Sequence, residues 1–266
     1  MPYLRVLQVL SGVLLSGLVS LSSSAQMIRK DFRSPLGVLI GYETDPYEQA
    51  KGWFAGMSAR RLVLYQANAP INQDEGFTYI DGRFKTGRPY SEVAGTVVLT
   101  PSPETNPFGI RLNLGSSGYK FDEGIVVRDN TYALGATYLI SSKAGRAVIL
   151  GAGIGNYEHS LDMSENQQNR WGLSENPADD GIDDSSTGIE SFLVGGLEKA
   201  IVTLDYHHGF FSNPEKMLKL ETEYKLGNRF SVVGHYRWVQ NQDRANEALE
   251  NYLNSDHGGI EIRIFR

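Results

Sequence analysis

Between Lys216 and the end of the chain, apolar and polar side chains alternate with a period of two. Leu218, Leu220, Thr222, Tyr224 and Leu226 share one parity; Lys219, Glu221, Glu223 and Lys225 share the other. The pattern restarts with Phe230, Val232, Gly234, Tyr236 and Trp238 against Arg229, Ser231, His235 and Arg237. It closes with Ile260, Ile262 and Ile264 against Glu261 and Arg263. Successive side chains of a strand leave on opposite faces, so each segment is expected to be a strand with one apolar and one charged face.

The same rhythm runs upstream, in segments separated by turn chemistry. Leu36, Val38, Ile40 and Tyr42 form the first apolar face, and Asp45-Pro46 breaks it. Trp53 to Tyr65 is the second strand; its parity slips around Arg60-Arg61, which predicts a β-bulge there. Phe77 to Phe84 alternates least. Val93 to Leu99, Phe108 to Gly115 and Tyr132 to Ile140 alternate cleanly, with the polar stretch Ser116 to Asn130 expected as a loop. Ala147 to Tyr157 is Gly-rich and ambiguous in parity. Glu158 to Ser186 is the longest break and an acidic one, followed by strands at Gly188–Leu197 and Lys199–Gly209.

The first residues have a different character. Arg5 precedes an apolar run from Val6 to Leu21, and Ser23 and Ala25 supply the small residues of a cleavage site. This is the form of an export signal over residues 1–25, leaving a mature chain from Gln26. An uncleaved membrane anchor is the alternative. Exported strands with one apolar and one charged face are the mark of a closed, antiparallel, up-and-down transmembrane β-barrel, all-β in class, spanning residues 26–266. No mature segment approaches the length of a transmembrane helix. The chain has no Cys, which excludes a disulfide-stapled scaffold and an anchor through Cys. Its 29 Gly and 14 Tyr suit twisted strands and membrane interfaces. Loss of Arg5 would take the formal charge from −6 to −7, a poor balance for nucleic-acid binding, and none is expected.

Breaks between strands set the count and the orientation. With the last strand running inward, Asn241–His257 and Glu158–Ser186 fall on the outer side, and Gly227-Asn228, Glu198 and Ser142–Arg146 on the inner side. Long outer loops and short inner turns are the habit of such barrels, and strand numbers are even. Twelve strands are expected if Phe77–Phe84 and Leu36–Glu43 both count, and ten if neither does.

The signal segment, the strand opening GWFAGMS at Gly52–Ser58 and the final HGGIEIRIFR together resemble bacterial outer-membrane β-barrel proteins of the small, OmpA-like and porin-like superfamily. The resemblance covers nearly the whole mature chain and points to no particular member. It implies a cell outer-membrane location, contact with lipid and lipopolysaccharide, handling by barrel-assembly machinery, and small solutes as possible cargo. Chains of that class commonly end in an aromatic residue; here Phe265 is penultimate and Arg266 is last.

Candidate chemistry lies on the charged parity. Arg111, Glu190, Asp205, Lys219, Glu221, Glu223, Lys225, Arg229, His235, Arg237, Glu261 and Arg263 are expected to face the lumen. Interspersed signs can pair across strands and fill the interior. Equally, they can ring a water-filled pore. A hydrolase would draw on Asp205, His207, His208 and Ser212, or on Ser255-Asp256-His257, although no nucleophile motif accompanies either cluster. Asp179, Asp180, Asp183 and Asp184 offer hard oxygen ligands without the spacing of a calcium loop, and read as a solvated outer loop. No cofactor is implied. Trp53, Tyr65, Tyr132, Tyr138, Tyr206, Phe210, Tyr224, Tyr236 and Trp238 are expected near strand ends, as interface girdles. The functional expectation is a non-enzymatic outer-membrane barrel, either a small diffusion channel or a structural, surface-interaction barrel. An outer-membrane hydrolase is the alternative. So is a soluble exported barrel carrying a ligand, which would turn its apolar parity inward.

Overall fold

In the computed structural model of the chain, the alternating segments hydrogen-bond to one another in sequence order and the last closes onto the first. The structure describes residues 32–44, 51–66, 75–87, 90–100, 106–120, 125–141, 147–162, 183–197, 199–210, 215–241 and 256–265. These hold β1 (Phe32–Thr44), β2 (Gly52–Gln66), β3 (Glu75–Gly87), β4 (Tyr90–Thr100), β5 (Phe108–Lys120) and β6 (Val126–Ser141). They continue with β7 (Ala147–Asp162), β8 (Asp183–Gly196), β9 (Ala200–Gly209), β10 (Glu215–Lys225), β11 (Phe230–Asn241) and β12 (Asp256–Phe265). Every neighbouring pair is antiparallel, and β1 pairs with β12 from Gly37↔Phe265 to Thr44↔Gly258. The closed ring therefore has twelve strands, and the ten-strand alternative is excluded because Leu36–Glu43 and Phe77–Phe84 both lie in ladder strands.

The two parities separate as the pattern predicts. Leu36, Val38, Ile40, Leu134, Ile154, Ile260, Ile262 and Ile264 are exposed on the outside, while Glu221, Glu223, Glu261 and Arg263 are fully buried inside. A soluble barrel turned the other way round is incompatible with this arrangement, since closure leaves no second core for the outer apolar side chains.

Three boundaries differ from the sequence reading. The stretch expected as a loop from Ser116 to Asn130 is mostly strand, because β5 runs to Lys120 and β6 begins at Val126. The long break after Tyr157 also narrows, since β7 continues to Asp162 and β8 begins at Asp183. In both places the outward residues are polar, so periodicity is lost while the ladder persists. The bulge is displaced as well: β2 pairs with β3 without interruption from Phe54↔Gly87 to Gln66↔Glu75. The extra residue lies in β1, where Ser34 to Gly37 oppose Arg60 to Ser58. Pro35 sits in that interval, and a residue with no N–H to donate is at home where the ladder is broken. A second irregularity falls at Ile140, between Leu139↔Ile149 and Ser141↔Val148. The segments 1–25, 163–182 and 242–255, which carry the expected signal peptide and much of the outer loops, lie outside the described residues.

Aromatic side chains frame the outer apolar band. Near the end where β7 leads to β8 and β11 to β12, here the long-loop end, Tyr42 meets Trp53 edge-on at 5.4 Å. Near the opposite, short-turn end Phe108 meets Tyr138 at 5.2 Å. Tyr132 stands well inside β6, and it marks the change from Leu134, Ala136 and Ile140 to the polar Asn130 and Arg128. Beyond it the wall is a polar ladder: Asn130 and Asn156 both donate to Glu158 at 3.3 Å, and Arg128 pairs with Asp162 at 2.7 Å.

Candidate functional site: the lumenal side-chain network

Each inward position on a strand can reach its cross-strand neighbours, and long side chains can reach further, across the barrel. The charged residues of the lumen do both. Arg60 of β2 pairs with Asp81 of the adjacent β3 at 2.7 Å, and also with Glu221 and Glu223 of β10. Arg83 joins Asp81 to Glu221. Arg263 of β12 pairs with Glu223 at 2.9 Å and with Glu261, and Ser231 donates to Glu223 at 2.7 Å. Lys85 of β3 reaches Glu261 at 2.8 Å and Glu92 at 3.4 Å. Lys219 of β10 reaches Glu92 of β4 at 2.8 Å. Those two strands are six places apart in a ring of twelve, so this bond crosses the full width of the lumen.

Towards the long-loop end the network changes composition. Asp129 of β6 gathers His159 Nδ1 at 2.5 Å, the Tyr157 hydroxyl at 2.6 Å and Arg237 Nη1 at 2.5 Å. His207 Nδ1 lies 3.1 Å from Glu190, and His235 Nε2 lies 2.6 Å from Glu43. His257 stacks on Tyr119, ring centroids 3.6 Å apart. Arg111 pairs with Asp205 and lies 4.2 Å above the Phe192 ring.

Apolar side chains complete the filling. Tyr79, Val98, Leu139, Ala147, Ile149, Phe192, Val194 and Ile201 form one buried cluster. They lie near the short-turn ends of β3, β4 and β6–β9, beside the ions supplied by β2 and β10–β12. Tyr157, Met217 and Val239 form a second cluster at the long-loop end. Room for these groups comes from inward glycines: a Cβ at Gly151 would run into the Phe192 ring, and one at Gly155 into Glu190. Among the described residues this packing leaves open a polar chamber of about 60 Å³ against the β4–β5 wall, lined by Ala94, Thr96, Asn113 and Gly115 and faced by Asp205 and Lys219.

The structure places Arg111, Glu190, Asp205, Lys219, Glu221, Glu223, His235, Arg237, Glu261 and Arg263 on the inner side of the wall. Lys225 sits half-buried at the end of β10. Arg229 is a correction: it lies exposed in the 226–229 turn, because β11 starts only at Phe230. Among the described residues the hydrolase candidates do not converge. Asp205 and His207 share a face of β9 yet bond to different partners, Arg111 and Glu190, and Ser212 lies outside the described residues. In the second cluster Asp256 and His257 take opposite faces of β12, and Ser255 lies outside the described residues. Asp179 and Asp180 also lie outside them; Asp183 and Asp184 open β8. Among the described residues no group of three or more His, Asp or Glu side chains is arranged to hold a metal ion.

Sequence reading missed half of the network. Asp81, Arg83 and Lys85 alternate with Ile80, Gly82 and Phe84, a signal present in the least regular strand. Asp129 and His159 were hidden because their strands continue where the outer face turns polar. Arg60 fell at the supposed slip in β2.

No family model matches the chain, and none of the curated proteins does. Solved structures similar to it include the outer-membrane expressed OmpT of Vibrio cholerae, at 11% identity and a TM-score of 0.38 over 91% of this chain and 100% of that one. An anion-selective porin from Comamonas acidovorans aligns at 11% identity and a TM-score of 0.34, over 88% of this chain and 98% of the porin. The outer membrane protein Omp33 of Acinetobacter baumannii aligns at 11% identity and 0.37, over 88% and 99%.

Proposed function

We propose that the chain is an integral outer-membrane β-barrel of structural or surface-interaction type, with a lumen closed by its own side chains. The observation that carries the second half of this reading is the filled interior. Side chains from opposite walls bond directly, as Lys219 does to Glu92, and an apolar cluster occupies the short-turn end beside the Arg60 network. A diffusion channel needs a continuous wet path. The membrane half is supported by the exposed apolar band, far larger than a soluble monomer tolerates, and by its aromatic borders. It is supported too by the export signal read in residues 1–25. In this setting lipid and lipopolysaccharide surround the wall, assembly machinery acts on the final strand, and the long-loop end meets the exterior.

The test is conductance of the purified protein in planar bilayers. Silence at applied voltages under which porins conduct is the expected result. Regular channel events from a homogeneous preparation would overturn the closed-lumen reading and restore the small diffusion channel.

A further inference from the structure

The polar chamber has features that its role as a gap between ion pairs does not explain. Lys219 of β10 and Asp205 of β9 are directly opposed in the ladder, so their side chains leave the wall side by side. Adjacent opposite charges usually pair. These two do not: Lys219 turns to Glu92 at 2.8 Å, and Asp205 turns to Arg111. Both remain partly open to the chamber, with side-chain exposures of 25% and 22% in an interior where most charged groups are near zero. Asp81 Oδ1, buried and without a hydrogen-bond partner, belongs to the same lining.

The facing wall is built from small groups. Ala94, Thr96, Asn113 and Gly115 stand where bulkier residues fill the rest of the lumen. A Cβ at Gly115 would meet nothing nearer than Ala94, at 3.8 Å. Thr96 donates to Asn113 at 2.7 Å, which fixes both polar groups on the chamber surface. At about 60 Å³ the chamber exceeds the room for one water by roughly four- to six-fold. That is space for a ligand of on the order of five non-hydrogen atoms.

We infer that the chamber is a binding site for a small zwitterion of the amino-acid class, its ammonium held by Asp205 and its carboxylate by Lys219. A single-charged solute would be attracted by one of these two open groups and repelled by the other. A zwitterion satisfies both and adds no net charge. A ligand this small binds in the micromolar range at best, roughly, so the assay must reach millimolar concentrations. The inference stands apart from the closed-lumen reading, since binding in the chamber requires no passage across the barrel.

Equilibrium dialysis of the detergent-solubilised full chain against labelled glycine tests it, with acetate and methylammonium as single-charge probes. Saturable one-to-one binding of glycine is expected, with either probe at least tenfold weaker. Ala94→Leu, which fills the chamber, and Lys219→Gln, which removes the carboxylate contact, should each weaken glycine at least tenfold while the barrel keeps its protease resistance. No binding of glycine, equal binding of acetate or methylammonium, or undiminished binding by a folded Ala94→Leu protein would each overturn the proposal. Should Ala94→Leu fail to fold, Lys219→Gln decides, because its side chain is the more exposed of the pair.

Discussion

At the residue scale, the same side-chain chemistry has opposite consequences on the two faces. Arg60 is fully buried yet joined to Asp81, Glu221 and Glu223, so its desolvation is offset by three carboxylates. Arg60→Met would leave those three carboxylates to Arg83 and Arg263 alone, with buried negative charge in excess. A loss of ~3–5 kcal/mol is expected, measurable as a lower urea midpoint in lipid vesicles followed by tryptophan fluorescence. Leu134, 64% exposed on the outer band, makes the complementary case. Leu134→Arg should cost about 2–4 kcal/mol in the same unfolding assay if that position meets the bilayer interior. A soluble exterior would make it neutral, so this variant separates the two environments.

At the element scale, neighbouring strands trade bulk against one another on the lumenal face. β7 turns Gly151, Gly153 and Gly155 inward, and β8 fills the vacated space with Phe192 and Glu190. Gly151→Val would drive its side chain into the Phe192 ring. Overpacking of this kind costs about 1–3 kcal/mol. Adding Phe192→Ala should recover part of that loss, a coupling that a double-mutant cycle in urea would reveal. The same trade explains why β7 was ambiguous in sequence. Its inward face is small rather than charged, so polarity does not mark it, although the outward Leu150 and Ile154 are exposed as elsewhere.

At the scale of the whole molecule, closure of the ring and filling of its interior are separate facts. Twelve strands could enclose either a pore or a packed lumen, because diameter grows with strand number while side-chain volume does not. Here large groups from β3, β7 and β8 meet near the short-turn end, and ions from β2 and β10–β12 complete the section. Truncating the apolar cluster should therefore expose its contribution to closure. The triple variant Tyr79→Ala, Ile149→Ala, Phe192→Ala is expected to give conducting events in planar bilayers, against a silent parent protein. A variant equally silent would assign closure to the ionic network alone.

The chain's alternation determined, by itself, the strand identity of nearly every segment, the closed barrel and the face each charge takes, because a period of two is a local property of an extended backbone. Of the twelve charges it proposed for the lumen, seven are buried, Asp205, Lys219, Lys225 and His235 are half-buried, and Arg229 is exposed, where a boundary shifted by one residue. It could not find Asp129 or His159, since their strands outlast the apolar band whose periodicity announced them. Nor could it choose between a pore and a plug. Which carboxylate Arg60 or Lys219 meets depends on strands far apart in sequence and on ladder register, and register is fixed only when the ring closes. The chamber between Lys219 and Asp205 belongs to the same category: a neighbouring pair of opposite charges left unpaired because each found its partner on another strand.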